Sequence, residues 1–230
     1  MSYQSLQSDG PSSLMKLEDL APPHGTEGML VTGQPLEEAQ SAVILIHGRG
    51  APPESMLPLA EELSREDTIF ILPRASGSQW YPFRFIEKRI KNEPGLTSAL
   101  RLVDGIVRAL IAAGLSRERI FIGGFSQGAC LALDYAALHP ARYGGVFALS
   151  GGLIGATIDT EGYGGSLENT PVFIGCSNVD FHIPLERVQE SSRVLRSLGA
   201  EVTERIYPGM GHTVNEDELK TIKAMLSKVA

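Results

Sequence analysis

The chain has 230 residues, 43% of them hydrophobic and 20% charged, which is enough for one well-developed core and short for two full domains. Its net charge of −7 carries no Lys/Arg cluster, so a nucleic-acid partner is excluded from the expectation. Two cysteines are too few for a disulfide framework, and no run approaches the roughly 18 apolar residues that mark a membrane span.

Residues 1–20 begin with a polar stretch lacking the basic and apolar regions of a secretory leader, and are expected to be a loose segment ahead of a domain spanning 21–230. An edge strand is expected over 26–32. The apolar run 42–46 predicts a buried strand, followed by His47-Gly48-Arg49-Gly50. After Pro52-Pro53, the spacing of Met56, Leu59, Ala60 and Leu63 predicts an amphipathic helix. A further strand is expected over 68–72.

Residues 74–95 read as a long connection bearing the only Trp, Trp80. A long loop in a compact domain needs a reason. Trp80 and Phe83 are expected to anchor it on the core, to form a pocket wall, or both. A helix over 96–113 ends at Gly114, a suitable stop.

The next unit is the most informative. A β-branched run, Ile120 to Ile122, meets Gly123 and then Gly124-Phe125-Ser126-Gln127-Gly128, after which apolar residues recur at helical spacing until Pro140. Strand, tight turn and helix form the context of a G-x-S-x-G nucleophile, in which small neighbours let the strained serine backbone fit. The competing reading is a plain strand-to-helix turn with Ser126 as N-cap. Strands are then expected over 145–149, 171–176 and 201–207. Helices are expected over 185–198 and from Asn215 onward, with a polar excursion at 155–169. Cys130 and Cys176 read as buried thiols in a reducing compartment.

Alternating strands and helices imply one mostly parallel sheet covered on both faces, whose ligands bind beyond the carboxyl ends of the strands. His47, Ser126, Asp180 and His212 all follow such ends. A serine hydroxyl needs a base, for which His212 is chosen, and the base needs an orienting acid, for which Asp180 is chosen. The order Ser126, Asp180, His212 is that of an α/β-hydrolase. The backbone N–H groups of Gln127 and Arg49 are the expected oxyanion donors.

Other polar residues have lesser readings. His182 either borders the pocket or bonds locally, and His47 pins loops through both ring nitrogens. Asp159 and Glu161 are weaker acids, while His24 and His139 carry no argued role. The Arg49 side chain either attracts a substrate anion or pairs with a surface acid. Phosphate-loop and dinucleotide glycine patterns are absent, and no His/Cys cluster suggests a metal, so no cofactor is expected.

These motifs resemble the phospholipase/carboxylesterase family that includes the acyl-protein thioesterases, within the α/β-hydrolase superfamily. The resemblance covers roughly 25–228, rests on the elbow and on His47-Gly48-x-Gly50, and extends to the Asp180 and Gly211-His212 loops. It implies the same triad and oxyanion donors, no large cap domain and no cofactor, with monomers or homodimers both within its range. Arg49 stands where thioesterases have an aliphatic residue, and Ala51 where they have an acid. The 74–95 segment looks more like the bacterial carboxylesterase branch. The expectation is therefore a cytoplasmic serine carboxylesterase acting on small or short-to-medium-chain esters, with Trp80 near the acyl or alcohol pocket. An acyl-protein thioesterase or lysophospholipase is the alternative, and a non-catalytic binding protein on the same fold is the alternative of another class.

Overall fold

The computed structural model describes residues 17 and 19–229, so most of the expected loose segment, 1–16 and 18, lies outside the described residues. Seven strands form one sheet: β1 (Leu30–Gly33), β2 (Ser41–Ile46), β3 (Thr68–Leu72), β4 (Ile120–Phe125), β5 (Gly145–Leu149), β6 (Pro171–Ser177) and β7 (Glu201–Tyr207). Their spatial order is β1-β3-β2-β4-β5-β6-β7. β1 runs antiparallel to β3, and every other pairing is parallel. The helices are α1 (Leu57–Glu62), α2 (Gly95–Ala112), α3 (Gln127–Leu138), α4 (Leu185–Ser197) and α5 (Glu216–Leu226).

Strand side chains alternate between two cores, as the pleat requires. Ala42, Ile44 and Ile46 of β2 pack in the layer that holds α2, α3 and α4, through residues such as Leu102, Leu133 and Val188. Val43 and Leu45 face the opposite layer, with Ala60 of α1 and Ile222 and Met225 of α5. Both faces of the central strands are thus buried, which accounts for their unbroken apolar runs.

Two expected boundaries shift. The edge strand begins at Leu30 rather than at 26, because Met29 N–H closes a turn on the Thr26 carbonyl at 3.1 Å and Gly28 takes φ 72°. The helix expected from Met56 is a 3₁₀ turn over Pro53–Met56 that runs into the short α1. No helix among the described residues is long and apolar enough to cross a membrane.

Candidate active site

Ser126 sits between β4 and α3 with φ 55° and ψ −117°, a conformation that costs an L-residue energy and persists only where its surroundings enforce it. Its N–H donates to Leu149 O of β5 at 2.9 Å, while its carbonyl accepts Cys130 N–H at 3.0 Å in the first turn of α3. Close approach of α3 to β2 makes the turn possible. A Cβ on Gly124 would collide with the Ile46 carbonyl oxygen and, at 2.8 Å, with the Gly128 carbonyl carbon. A Cβ on Gly128 would meet the Ile46 carbonyl carbon at 2.5 Å and His47 O at 2.6 Å. Glycine is required at both positions, and the serine hydroxyl is held clear of the sheet.

The loops after β6 and β7 meet at that hydroxyl. His212 Nε2 lies 2.9 Å from Ser126 Oγ, and its Nδ1 lies 2.7 Å from Asp180 Oδ2. A carboxylate can only accept, so Nδ1 carries the proton and Nε2 is left as an acceptor facing the serine. Asp180 Oδ1 accepts the backbone N–H groups of His182 and Ile183 at 2.8 and 3.1 Å. Burial alone would raise the Asp180 carboxyl, but the hydrogen bonds from His212 and the His182 N–H outweigh it and hold the group below its ordinary 3.8. The histidine turn hangs from the acid's strand and loop: Gly209 N–H donates to Asn178 Oδ1 at 2.8 Å and Gly211 N–H to Ser177 Oγ at 3.2 Å. The His212 ring is flanked by Phe125 and His182, each with its centroid 4.8 Å away.

Among the described residues, the backbone N–H groups of Arg49 and Gln127 have no acceptor within the chain. Both residues border the pocket that contains Ser126. His47 shapes the first of these loops from a fully buried position, with Nδ1 2.8 Å from Gly48 O and Nε2 accepting Ala75 N–H at 3.1 Å. Burial lowers its pKa from 6.5 and favours the neutral ring this arrangement needs.

The pocket has a volume of about 790 Å³. Tyr81, Arg84, Phe85 and Ile183 form one wall, and Met56, Leu59, Val214 and Leu219 another. His182 borders it and also bonds locally through its N–H, so both readings of that residue hold. Of the two readings of Trp80, core anchoring holds and the pocket wall does not: it is fully buried behind the lining residues, and its indole N–H donates to His47 O at 2.9 Å. The Phe83 side chain is 53% exposed and does not anchor the loop on the core. Among the described residues the Arg49 guanidinium pairs with no acid; it donates to Gln79 Oε1 and to the carbonyls of Tyr81, Pro82 and Phe83 at 2.6–2.9 Å.

His24, to which the sequence assigns no role, is buried and clamps the same segment. Its Nε2 lies 2.9 Å from Trp80 O and its Nδ1 accepts Ser76 N–H at 3.0 Å. No local motif marks it, because both partners lie far along the chain. His139 is partly exposed, 3.9 Å from Asp104. Asp159 caps a 3₁₀ turn by accepting Glu161 N–H at 3.1 Å, and neither residue borders the pocket. Among the described residues no group of three His, Cys, Asp or Glu side chains could hold a metal ion.

Sheet order, elbow and strand-end loops define an α/β-hydrolase. The model of the phospholipase/carboxylesterase family matches residues 28–230, and the chain belongs to that family. A phospholipase/carboxylesterase from Dyadobacter fermentans has a crystal structure that is 36% identical, with TM-score 0.86, covering 91% of this chain and 100% of that one. Acyl-protein thioesterase 1 of Gibberella zeae is 28% identical over 82% of this chain and 90% of that protein. The Bacillus cereus carboxylesterase shares the fold at 18% identity, with TM-score 0.72 over 88% of this chain and 94% of that one.

Proposed function

We propose that the protein is a serine carboxylesterase for small or short-to-medium-chain esters, working through an acyl-enzyme. The observation that carries this reading is the hydrogen-bonded series Ser126–His212–Asp180 opening on a largely apolar pocket. Ser126 Oγ attacks the ester carbonyl carbon as its proton passes to His212 Nε2. The carbonyl oxygen becomes an oxyanion and takes the N–H groups of Arg49 and Gln127. The intermediate collapses, the C–O bond to the alcohol breaks, and His212 gives its proton to the leaving oxygen. Water then enters, loses a proton to His212 and attacks the acyl carbon. The second intermediate releases the carboxylic acid and returns the proton to Ser126. Asp180 remains ionised, fixing the tautomer and stabilising the imidazolium.

The thioesterase reading uses the same residues and is favoured by the 28% identity to acyl-protein thioesterase 1. The 36% identical relative, a phospholipase/carboxylesterase, supports the carboxylesterase reading, and the bulky Tyr81 and Phe85 of the pocket wall support small esters. The free thiols of Cys130 and Cys176 fit a reducing setting, and we place the enzyme in the cytoplasm.

The test is turnover of p-nitrophenyl acetate, butyrate, octanoate and palmitate, together with an acyl thioester and a lysophospholipid, beside labelling by a fluorophosphonate. Wild type is expected to label and to prefer acetate or butyrate, and Ser126→Ala to do neither. A preference for palmitate or the thioester would move the assignment to the thioesterase. A folded wild type that neither labels nor turns over would mean a binding protein.

A further inference from the structure

The two walls of the pocket differ in chemistry because they belong to opposite layers of the fold. Met56, Leu59, Val214 and Leu219 come from the α1/α5 layer and offer only apolar surface. The one acid there, Glu62, is already paired with Lys223 at 2.8 Å. Tyr81, Phe85 and Ile183 come from the other layer, and Arg84 stands among them.

Two arginines border the pocket, and only one has Nη donors left to give. Arg49 uses both Nη atoms on four acceptors of its own chain. Arg84 is exposed, and among the described residues its guanidinium makes one hydrogen bond, from Nη2 to His182 O at 3.3 Å, and no ion pair. Glu87, whose carboxylate senses the Arg84 charge, is held by Lys91 at 2.8 Å. Of the five N–H donors of a guanidinium, four remain. The bond to His182 O ties the group to the loop whose His182 ring packs 4.8 Å from that of His212, and Arg84 lines the same pocket as Ser126. On the same wall the Tyr81 hydroxyl is buried against the Cys130 thiol and closed off from the cavity, so the open donors there are those of Arg84.

We propose that Arg84 recognises a carboxylate carried by the substrate, so that the preferred esters hold an anionic group against the Tyr81–Phe85 wall and an apolar part against Met56 and Leu59. Monoesters of dicarboxylic acids and esters of hydroxy acids are the substrate classes that fit. A planar fork of donors suits a carboxylate. This inference rests on the ester-hydrolase reading of Ser126.

The experiment compares kcat and KM for ethyl butyrate, monoethyl succinate and O-butyrylglycolate in wild type, Arg84→Gln and Arg84→Lys. The two anionic esters place the carboxylate on the acyl and alcohol sides respectively, so the better one identifies which side meets Arg84. Wild type is expected to favour one of them over ethyl butyrate. In Arg84→Gln the anionic-to-neutral ratio of kcat/KM is expected to fall by about 10- to 100-fold, mostly through KM, as loss of a charged hydrogen bond implies. Arg84→Lys is expected to recover part of it. An equal ratio in wild type and Arg84→Gln, with ethyl butyrate turned over by both, overturns the inference and leaves the esterase reading standing. No turnover of any ester by wild type overturns both.

Discussion

Gln127 Oε1 accepts the backbone N–H of Trp80 at 2.9 Å, joining the residue after the elbow serine to the segment that walls the pocket. The same carboxamide donates through Nε2 to Tyr81 O at 2.8 Å. One side chain at the start of α3 thus satisfies a donor of Trp80 and an acceptor of Tyr81, and its own N–H stands beside Ser126.

Gln127→Ala keeps the backbone N–H and removes both side-chain bonds, leaving the buried Trp80 N–H unmet while Tyr81 O keeps its bond from Arg49 Nη2. The expected cost is about 1–3 kcal/mol of stability. Loosening of the Tyr81–Phe85 wall should also lower kcat/KM. Thermal melting and ester kinetics check this, and an unchanged melting temperature would show that the segment is held by other contacts.

Asp180→Asn tests the proposed role of the acid. The amide can offer its N–H to Nδ1 and stabilise the wrong tautomer, with the fold intact. Turnover is expected to drop about 10⁴-fold, by analogy with the same change in a serine protease. A drop below tenfold, with an unaltered melt, would remove Asp180 from the mechanism.

Arg49→Leu separates its backbone from its side chain. The leucine retains the N–H beside Ser126 but deletes four hydrogen bonds to the 79–83 segment. Melting temperature and kcat/KM should fall together, and by similar factors for neutral and anionic esters. Selective loss on anionic esters would return anion recognition to Arg49 and take it from Arg84.

The elbow was legible because its determinants are local: the β4 run, Gly124 and Gly128 within two residues of Ser126, and the apolar spacing of α3. Asp180 and His212 could be picked out because a parallel sheet gathers its strand ends at one edge, where the structure places them within hydrogen-bond distance of each other and His212 within reach of Ser126. The pocket wall was not legible. Trp80 is open to two readings, core anchor and wall; its side chain anchors behind the wall on His47 O, while Tyr81, Arg84 and Phe85 line the cavity. Loops without periodicity do not declare which side chain faces in. His24 and Arg49 act on that loop across long sequence separations, which no spacing rule reaches.

His47 should make the protein acid-sensitive. Burial lowers its pKa from 6.5, so the unfolded chain takes up the proton first as pH falls. Its stabilising contribution is complete above pH 6.5 and declines as pH drops below that value toward the folded pKa. Protonation of Nε2 would also abolish the acceptor for Ala75 N–H. His24, lowered for the same reason, should add to the effect. Melting temperature against pH should fall less steeply on the acid side in His47→Gln than in wild type. Parallel curves would mean that the acid response arises elsewhere.

Glu218 has the opposite sign. It is fully buried at the start of α5, where Oε2 accepts Asn215 N–H at 2.9 Å and Oε1 has no partner. Burial raises its pKa from 4.5 to about 7, eased by the Asn215 N–H and worsened by Asp217. The folded protein therefore keeps this proton after the unfolded chain has lost its own, and stability declines as pH climbs from 4.5 to about 7, then levels. Glu218→Gln is neutral throughout and keeps an acceptor for Asn215 N–H. Its advantage over wild type should emerge only across that rise and reach at most about 3 kcal/mol above it. Melting curves of both proteins at the two ends of the range are the measurement. A gain already present at the acid end would mean that the substituted amide merely packs better, and that the buried carboxylate carries no charge penalty.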